Sequence, residues 1–264
     1  MKVTKKNLIF TFLLLCVFVF VSFNFAYAQV ANVENPYYFV IVSEGGQDNP
    51  FVGAMEKGAD DAAELLGDIV KFYRPQKEGD LAWQLDTLKA LLVDPEKIDG
   101  IVTSIPEANM FDDVIQEAID LGIPVITMST DDPEGADGNA RLAFIGQDYV
   151  TAGYITTKET LTRFFKDTPP KHVLFPVEVP GVQYSLQRGE GMERALKEFG
   201  IKSYEFLETT MDPVEAESRI MAYLSKHPET EAIISVGGIA FPPAARAAER
   251  MGYKPGEIKI TGFD

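Results

Sequence analysis

Apolar positions along this chain follow two alternating rhythms. Short runs rich in β-branched and aromatic residues, at 38–42, 69–73, 99–104, 124–128 and 142–146, read as strands, the first with the continuous apolar pattern of a strand buried on both faces. Between them, apolar residues recur three or four apart: Val52, Met55, Ala59, Ala62 and Leu66, then Leu81, Leu85, Leu88 and Leu92, then Phe111, Ile115 and Ala118 in a third stretch running from about 109 to 121 with Gly122 as a stop. Each set predicts a helix with one face turned to a sheet. From Asp148 the pattern restarts, with helices expected at 149–165, 184–199, 213–226 and 243–251 and strands at 172–176, 203–207, 232–236 and 258–263. This alternation predicts an α/β fold of doubly wound, mostly parallel sheets joined by right-handed crossovers. Two series of similar size with no long linker predict two lobes, 29–147 and 148–264, sharing one cleft.

The first residues follow another pattern. Lys2, Lys5 and Lys6 precede an apolar run over 8–25, and Ala26-Tyr27-Ala28 follows it, which predicts a signal peptide over 1–28 cut after Ala28. The run is long for such a region, and an uncleaved anchor is the alternative. Cys16, the only cysteine, sits inside the run between Leu15 and Val17, not in the small-residue setting of a lipid-modified cysteine. The expectation is a soluble exported protein without lipid or disulfide. Removing 1–28 takes away three lysines and no acid, so the formal charge goes from -16 to -19. Such a balance argues against nucleic acid and anionic membrane surfaces as partners.

Candidate chemistry gathers at the expected strand ends, where ligands bind in open α/β sheets. Ser43, Glu44, Asn49 and Phe51 follow the first strand, with Asn49 a favoured N-cap and Pro50 suited to the first helical position. Thr103, Ser104, Ser129, Thr130, Asp131, Gln147 and Asp148 end later strands, and Thr209, Ser235, Gly237, Gly238 and Asp264 do so in the second series. Hydroxyls, amides and carboxylates at these places suit a small polyhydroxylated ligand, the alternative being that strand ends are merely wet. The acidic stretch 131–139 lacks the alternate oxygen spacing of a calcium loop and reads as an exposed turn. His172 opens a strand and His227 ends a helix, Trp83 reads as packing, and no nucleophile elbow, phosphate loop, dinucleotide fingerprint or zinc spacing is present. A non-enzyme without metal or cofactor is expected.

The runs DNPFVGAMEKGADDAAELLG, DGIVTSIPE, GIPVITM, AFIGQDYVTAG, RGEGMERAL, HPETEAIIS and ITGFD, in this order and spacing, resemble the sugar-binding branch of the type I periplasmic binding proteins. These are the solute receptors of ABC importers, typified by the ribose-binding protein. The resemblance implies two Rossmann-like lobes joined by three crossovers and closing on a sugar by hinge motion. It further implies a periplasmic monomer with a membrane permease as partner. It also implies a chain that continues past GFD, so that the last elements of the first lobe are missing here.

By the same resemblance Asn49 matches an amide ligand, Phe51 a stacking aromatic and Asp264 a carboxylate that grips sugar hydroxyls. Ser129 and Thr130 replace an aspartate-arginine pair of ribose binders, Ile105 and Gly237 replace asparagines, and Leu186 replaces a ligand arginine. Arg188 matches a structural arginine. Ribose is therefore not the expected ligand; another monosaccharide, a deoxysugar, a polyol, or a larger ligand using room around Gly237 and Gly238 is. Gln183 and Tyr184 would supply replacement contacts. The expected function is an extracytoplasmic solute-binding receptor of an ABC importer, the alternative being a ligand sensor of the same fold serving chemotaxis or a sensor kinase.

Overall fold

The computed structural model describes residues 35–47 and 49–263; the expected signal peptide and Asp264 lie outside the described residues. In chain order the elements are β1 (Tyr38–Val42), α1 (Pro50–Leu66), β2 (Ile69–Tyr73), α2 (Leu81–Leu92), β3 (Gly100–Thr103), α3 (Asp112–Asp120), β4 (Val125–Met128) and β5 (Ala143–Ile145). They continue with α4 (Tyr149–Phe164), β6 (His172–Val177), α5 (Gln183–Glu198), β7 (Tyr204–Glu208), α6 (Pro213–Lys226), β8 (Thr230–Ile234), α7 (Phe241–Arg250) and β9 (Lys259–Thr261). Single turns of 3-10 helix occur at Pro95–Lys97 and Gly135–Asp137.

The strands form two sheets, in the orders β2-β1-β3-β4-β5 and β7-β6-β8-β9. The pairs β1–β2, β1–β3, β3–β4, β6–β7, β6–β8 and β8–β9 are parallel, as the unbroken apolar runs predict. In each sheet the direction of winding reverses beside its first strand: between β1 and β3, and between β6 and β8. These reversals are topological switch points, where the loops leaving neighbouring strands diverge and open a crevice at the carboxyl edge. By packing, the described residues fall into two compact units. One comprises residues up to 104, 109–128 and 136–144; the other comprises 105–108, 129–135 and 145 onward.

Each unit has its own core. In the first, Val40, Val42, Ile101 and Val125 of the sheet and Phe111, Val114, Ile115 and Ala118 at and along α3 are buried, so the α3 stripe read from sequence is the one that packs. In the second, β6 is buried along its whole length and alternates between two cores. Val173, Phe175 and Val177 pack with Leu161 of α4 and Met192 and Leu196 of α5, whereas Leu174 packs with Ile220 and Leu224 of α6 and Ala244 and Ala247 of α7. Helices thus cover both faces.

Three expectations shift. The third helix begins at Asp112 rather than 109, because Asn109 takes a left-handed conformation (φ 62°) that a helix cannot continue through. Along α1 only Val52 is buried while Leu65 and Leu66 are exposed, so the helix forms where expected but only its first turn reaches the core. The acidic loop is not wholly exposed: Asp132 is buried and accepts from the Glu134 N–H at 2.7 Å, making it the pin of the turn.

Candidate functional site

The first switch point is built by the loops after β1 and β3. Ser43 is buried, and its Oγ accepts from the N–H of Gly45 at 3.0 Å. A Cβ on Gly45 would lie 2.2 Å from Val52 Cγ2, so only glycine lets this loop press against the first turn of α1. Asn49 caps that helix: its side-chain oxygen accepts from the Phe51 N–H at 3.0 Å, and its amide nitrogen donates to both carboxylate oxygens of Glu78 at 3.2 Å. Glu78 also accepts from the N–H of Gly46 at 2.7 Å. Arg74 holds the loop from the other side, donating to the carbonyls of Gly46 and Asn49 and to Glu56 at 3.2 Å. Phe51, next to this rigid frame, leaves 46% of its surface exposed.

From β3, buried Ser104 donates its hydroxyl proton to the carboxylate of Glu44, joining the two strand ends at the switch point. Gln84, fully buried on α2, donates to the Ser104 carbonyl at 2.9 Å and to Thr103 Oγ1 at 3.0 Å. The result is a preorganised polar edge with an aromatic ring beside it.

The second switch point is organised by Arg188 and Glu178. Arg188, buried on α5, donates to the Val236 carbonyl at 2.9 Å and to Gln147 Oε1 at 3.0 Å, with its guanidinium 3.8 Å from the Phe263 ring centroid. The rings of Tyr149 and Tyr184 lie 5.1 and 5.5 Å from it. Tyr149 also donates its hydroxyl proton to the carbonyl of Ser129, a residue held at φ 62° where β4 ends. The Thr130 carbonyl accepts from the N–H of Ile105 at 2.9 Å. Glu178, the first residue past β6, is buried and accepts from the N–H of Ala240 at 2.9 Å. Burial pushes its pKa up, with the Ala240 N–H as the largest opposing influence.

Of the residues singled out from sequence, Ser43, Glu44, Asn49, Phe51 and Ser104 meet at the carboxyl edge of the first sheet. Ser129, Tyr184 and Gly237 belong to the network around Arg188 and Glu178, Gln183 opens α5, and Asp264 lies outside the described residues. The space at Gly237 is already occupied, since a Cβ there would come within 2.6 Å of a Glu178 carboxylate oxygen. Sequence reasoning missed Glu178, Glu78, Arg74 and Gln84. For Glu178 a signal existed: an acid stands directly after the run HVLFPV, as Glu44 stands one residue further on, past Ser43, after YFVIV.

The family described as "Periplasmic binding protein domain" matches residues 39–264. The xylose/arabinose-binding protein XylF of Sulfolobus acidocaldarius is 24% identical over 251 residues, which are 91% of this chain; the chain spans 60% of the length of that relative. A periplasmic sugar-binding protein of an ABC sugar transporter from Legionella pneumophila has a similar structure, with TM-score 0.75 and 26% identity, covering 86% of this chain and 81% of that one. GanP, a glucose-galactose binding protein from Geobacillus stearothermophilus, superposes with TM-score 0.69 and 27% identity over 87% of this chain and 78% of its own.

Proposed function

This chain belongs to the periplasmic binding protein domain family, and from that premise we propose that it is an exported receptor for a neutral sugar or polyol, serving the permease of an ABC importer. The observation that carries the ligand class is the chemistry of the two switch points. Each presents a carboxylate, Glu44 in one unit and Glu178 in the other, and the first adds the exposed ring of Phe51. Carboxylates accept from hydroxyls, and an aromatic face accepts the C–H side of a sugar ring. Arg188, the cation of the second switch point, is buried and directed at the Val236 carbonyl, Gln147 and the Phe263 ring. Relatives named for xylose, arabinose, glucose and galactose support the same class. In this reading the ligand favours the loaded form by its differential affinity for it, and the permease reads that form.

The test is direct. Denaturing the purified protein should release a sugar or polyol identifiable by mass spectrometry. A panel of D-xylose, L-arabinose, D-glucose, D-galactose and myo-inositol should contain a member that raises the melting temperature, by an amount corresponding to about 2.7 kcal/mol at a hundredfold excess over Kd. Neither a co-purified carbohydrate nor a shift with any neutral sugar or polyol would sink the proposal.

A further inference from the structure

The rung of residues just beyond the strand ends of the second sheet is polar, buried and incompletely paired. Val177 of β6 is in register with Glu208 of β7, and the Thr209 N–H donates to the Val177 carbonyl at 2.9 Å, so the next pair across is Glu178 with Thr209. On the other side Leu174 is in register with Ile233 of β8, and the Val236 N–H donates to the Pro176 carbonyl at 2.9 Å, which sets Gly237 beside Glu178. Side chains of one rung share a face of the sheet. The 2.6 Å approach of a Gly237 Cβ to the Glu178 carboxylate agrees with that placement.

Thr209 is 0% exposed and its Oγ1 has no hydrogen-bond partner; Glu178 is 3% exposed, one oxygen accepts from the Ala240 N–H, the Ile239 N–H and its own N–H also favour its charged form, and no donor lies within hydrogen-bond distance of its Oε2. Thr210, immediately after, is held at φ 67°, a conformation a β-branched residue adopts only under constraint. Burying two polar atoms on one rung without partners is costly unless something supplies the missing bonds. A carboxylate only accepts, whereas a threonine hydroxyl both donates and accepts. A ligand hydroxyl answers both, donating to Glu178 and accepting from Thr209.

Resting on the sugar-receptor reading, we infer that Glu178 and Thr209 form a hydroxyl-recognition subsite of the second unit, for which the missing side chain at Gly237 leaves room. Gly237 is then not an empty corner for a larger ligand. It admits a carboxylate from the neighbouring strand in place of a side chain of its own.

Calorimetric titration of wild type, Glu178→Gln, Thr209→Val and Gly237→Ala with the neutral panel above, together with the melting temperature of each ligand-free protein, tests this. For the tightest-binding member of the panel, affinity falls at least about tenfold in Glu178→Gln, where a charge-assisted bond becomes a neutral one, and about threefold or more in Thr209→Val. The ligand-free Thr209→Val and Glu178→Gln proteins melt no lower than wild type, because each loses an unpaired or charged buried group. Affinities within twofold of wild type in both variants, with or without a lower melting temperature, would assign the rung to structure or to bound water and overturn the inference while leaving the receptor reading intact. Should Glu178→Gln fail to fold, Thr209→Val decides alone. If wild type binds no member, both fall together.

Discussion

Asn49 and Phe51 stand two residues apart and divide the work of one loop. Asn49 is 9% exposed and spends its side chain on the chain itself, capping α1 and holding Glu78. Asn49→Ala should therefore cost about 1 kcal/mol or more in urea unfolding, the ordinary worth of an N-cap, and more if Glu78 is left without its partner. Phe51 is nearly half exposed. Phe51→Ala should leave the unfolding midpoint within the scatter of surface substitutions and weaken ligand binding about tenfold, roughly 1.4 kcal/mol. A variant that loses stability but not affinity would move Phe51 into the core and out of the site. The contrast explains what sequence could and could not reveal here. The cap was legible because Asn-Pro before an apolar stripe is a local signal. The commitment of the Asn49 amide to Glu78 was not, because its partner comes from the loop after β2 and only the fold brings them together.

At the scale of elements, the order and type of every strand and helix from β1 to β9 were legible, since a continuous apolar run and a 3.6-residue stripe are distinct rhythms. Element ends were less so, since they depend on single φ values such as that of Asn109. Least legible were contacts between elements. Gln84 lies on α2 between the leucines of the expected stripe, and nothing local marks it as the buried donor for the end of β3. The glycines of α5 are the clearest case. Gly191 would place a Cβ 1.9 Å from the Val150 carbonyl and Gly153 of α4 one 2.1 Å from the Arg188 carbonyl, so the two helices touch backbone to backbone. That contact fixes the helix that carries Arg188. Gly191→Ala should lower stability by about 1–3 kcal/mol or more through overpacking, and disturb ligand binding through Arg188. Gly58 of α1 is the control: it meets nothing within 4 Å, so Gly58→Ala should raise stability by about 0.5–1 kcal/mol. Equal effects in the two variants would show that helix propensity rather than close packing governs both.

At the scale of the whole molecule, two opposing electrostatic terms set the response to pH. The formal charge of -16 makes the folded chain repel itself at neutral pH, a term that weakens as carboxylates protonate and as salt screens them. Against it stands the cluster holding both histidines of the chain, at the amino edge of the second sheet. His172 Nδ1 is 2.7 Å from Ser203 Oγ and its Nε2 is 2.6 Å from the Tyr223 hydroxyl, which itself donates to Glu205 at 3.1 Å. Because the single Tyr223 proton goes to Glu205, its oxygen accepts from His172 Nε2–H, and Nδ1 is left to accept from Ser203: a neutral imidazole satisfied at both nitrogens. The His227 ring stacks 4.2 Å from Tyr223 and 5.7 Å from His172, and Glu229 lies 3.2 Å from His227. Burial lowers the pKa of His172 from the ordinary 6.5, with Glu229 and Glu205 pulling it up and His227 pushing it further down. A histidine whose folded pKa lies below its unfolded one binds fewer protons in the native state. Its contribution is therefore complete above the unfolded value and is lost as pH falls through 6.5 toward the folded one. Melting temperatures taken between about pH 7.5 and 5 at high salt, where surface repulsion is screened, should fall on acidification in the wild type and fall less in His172→Gln, which removes the buried titration. Adding salt at neutral pH should raise both curves alike, since it acts on the surface charge and not on the cluster. Parallel pH slopes in the two proteins would transfer the acid response from His172 to the carboxylates.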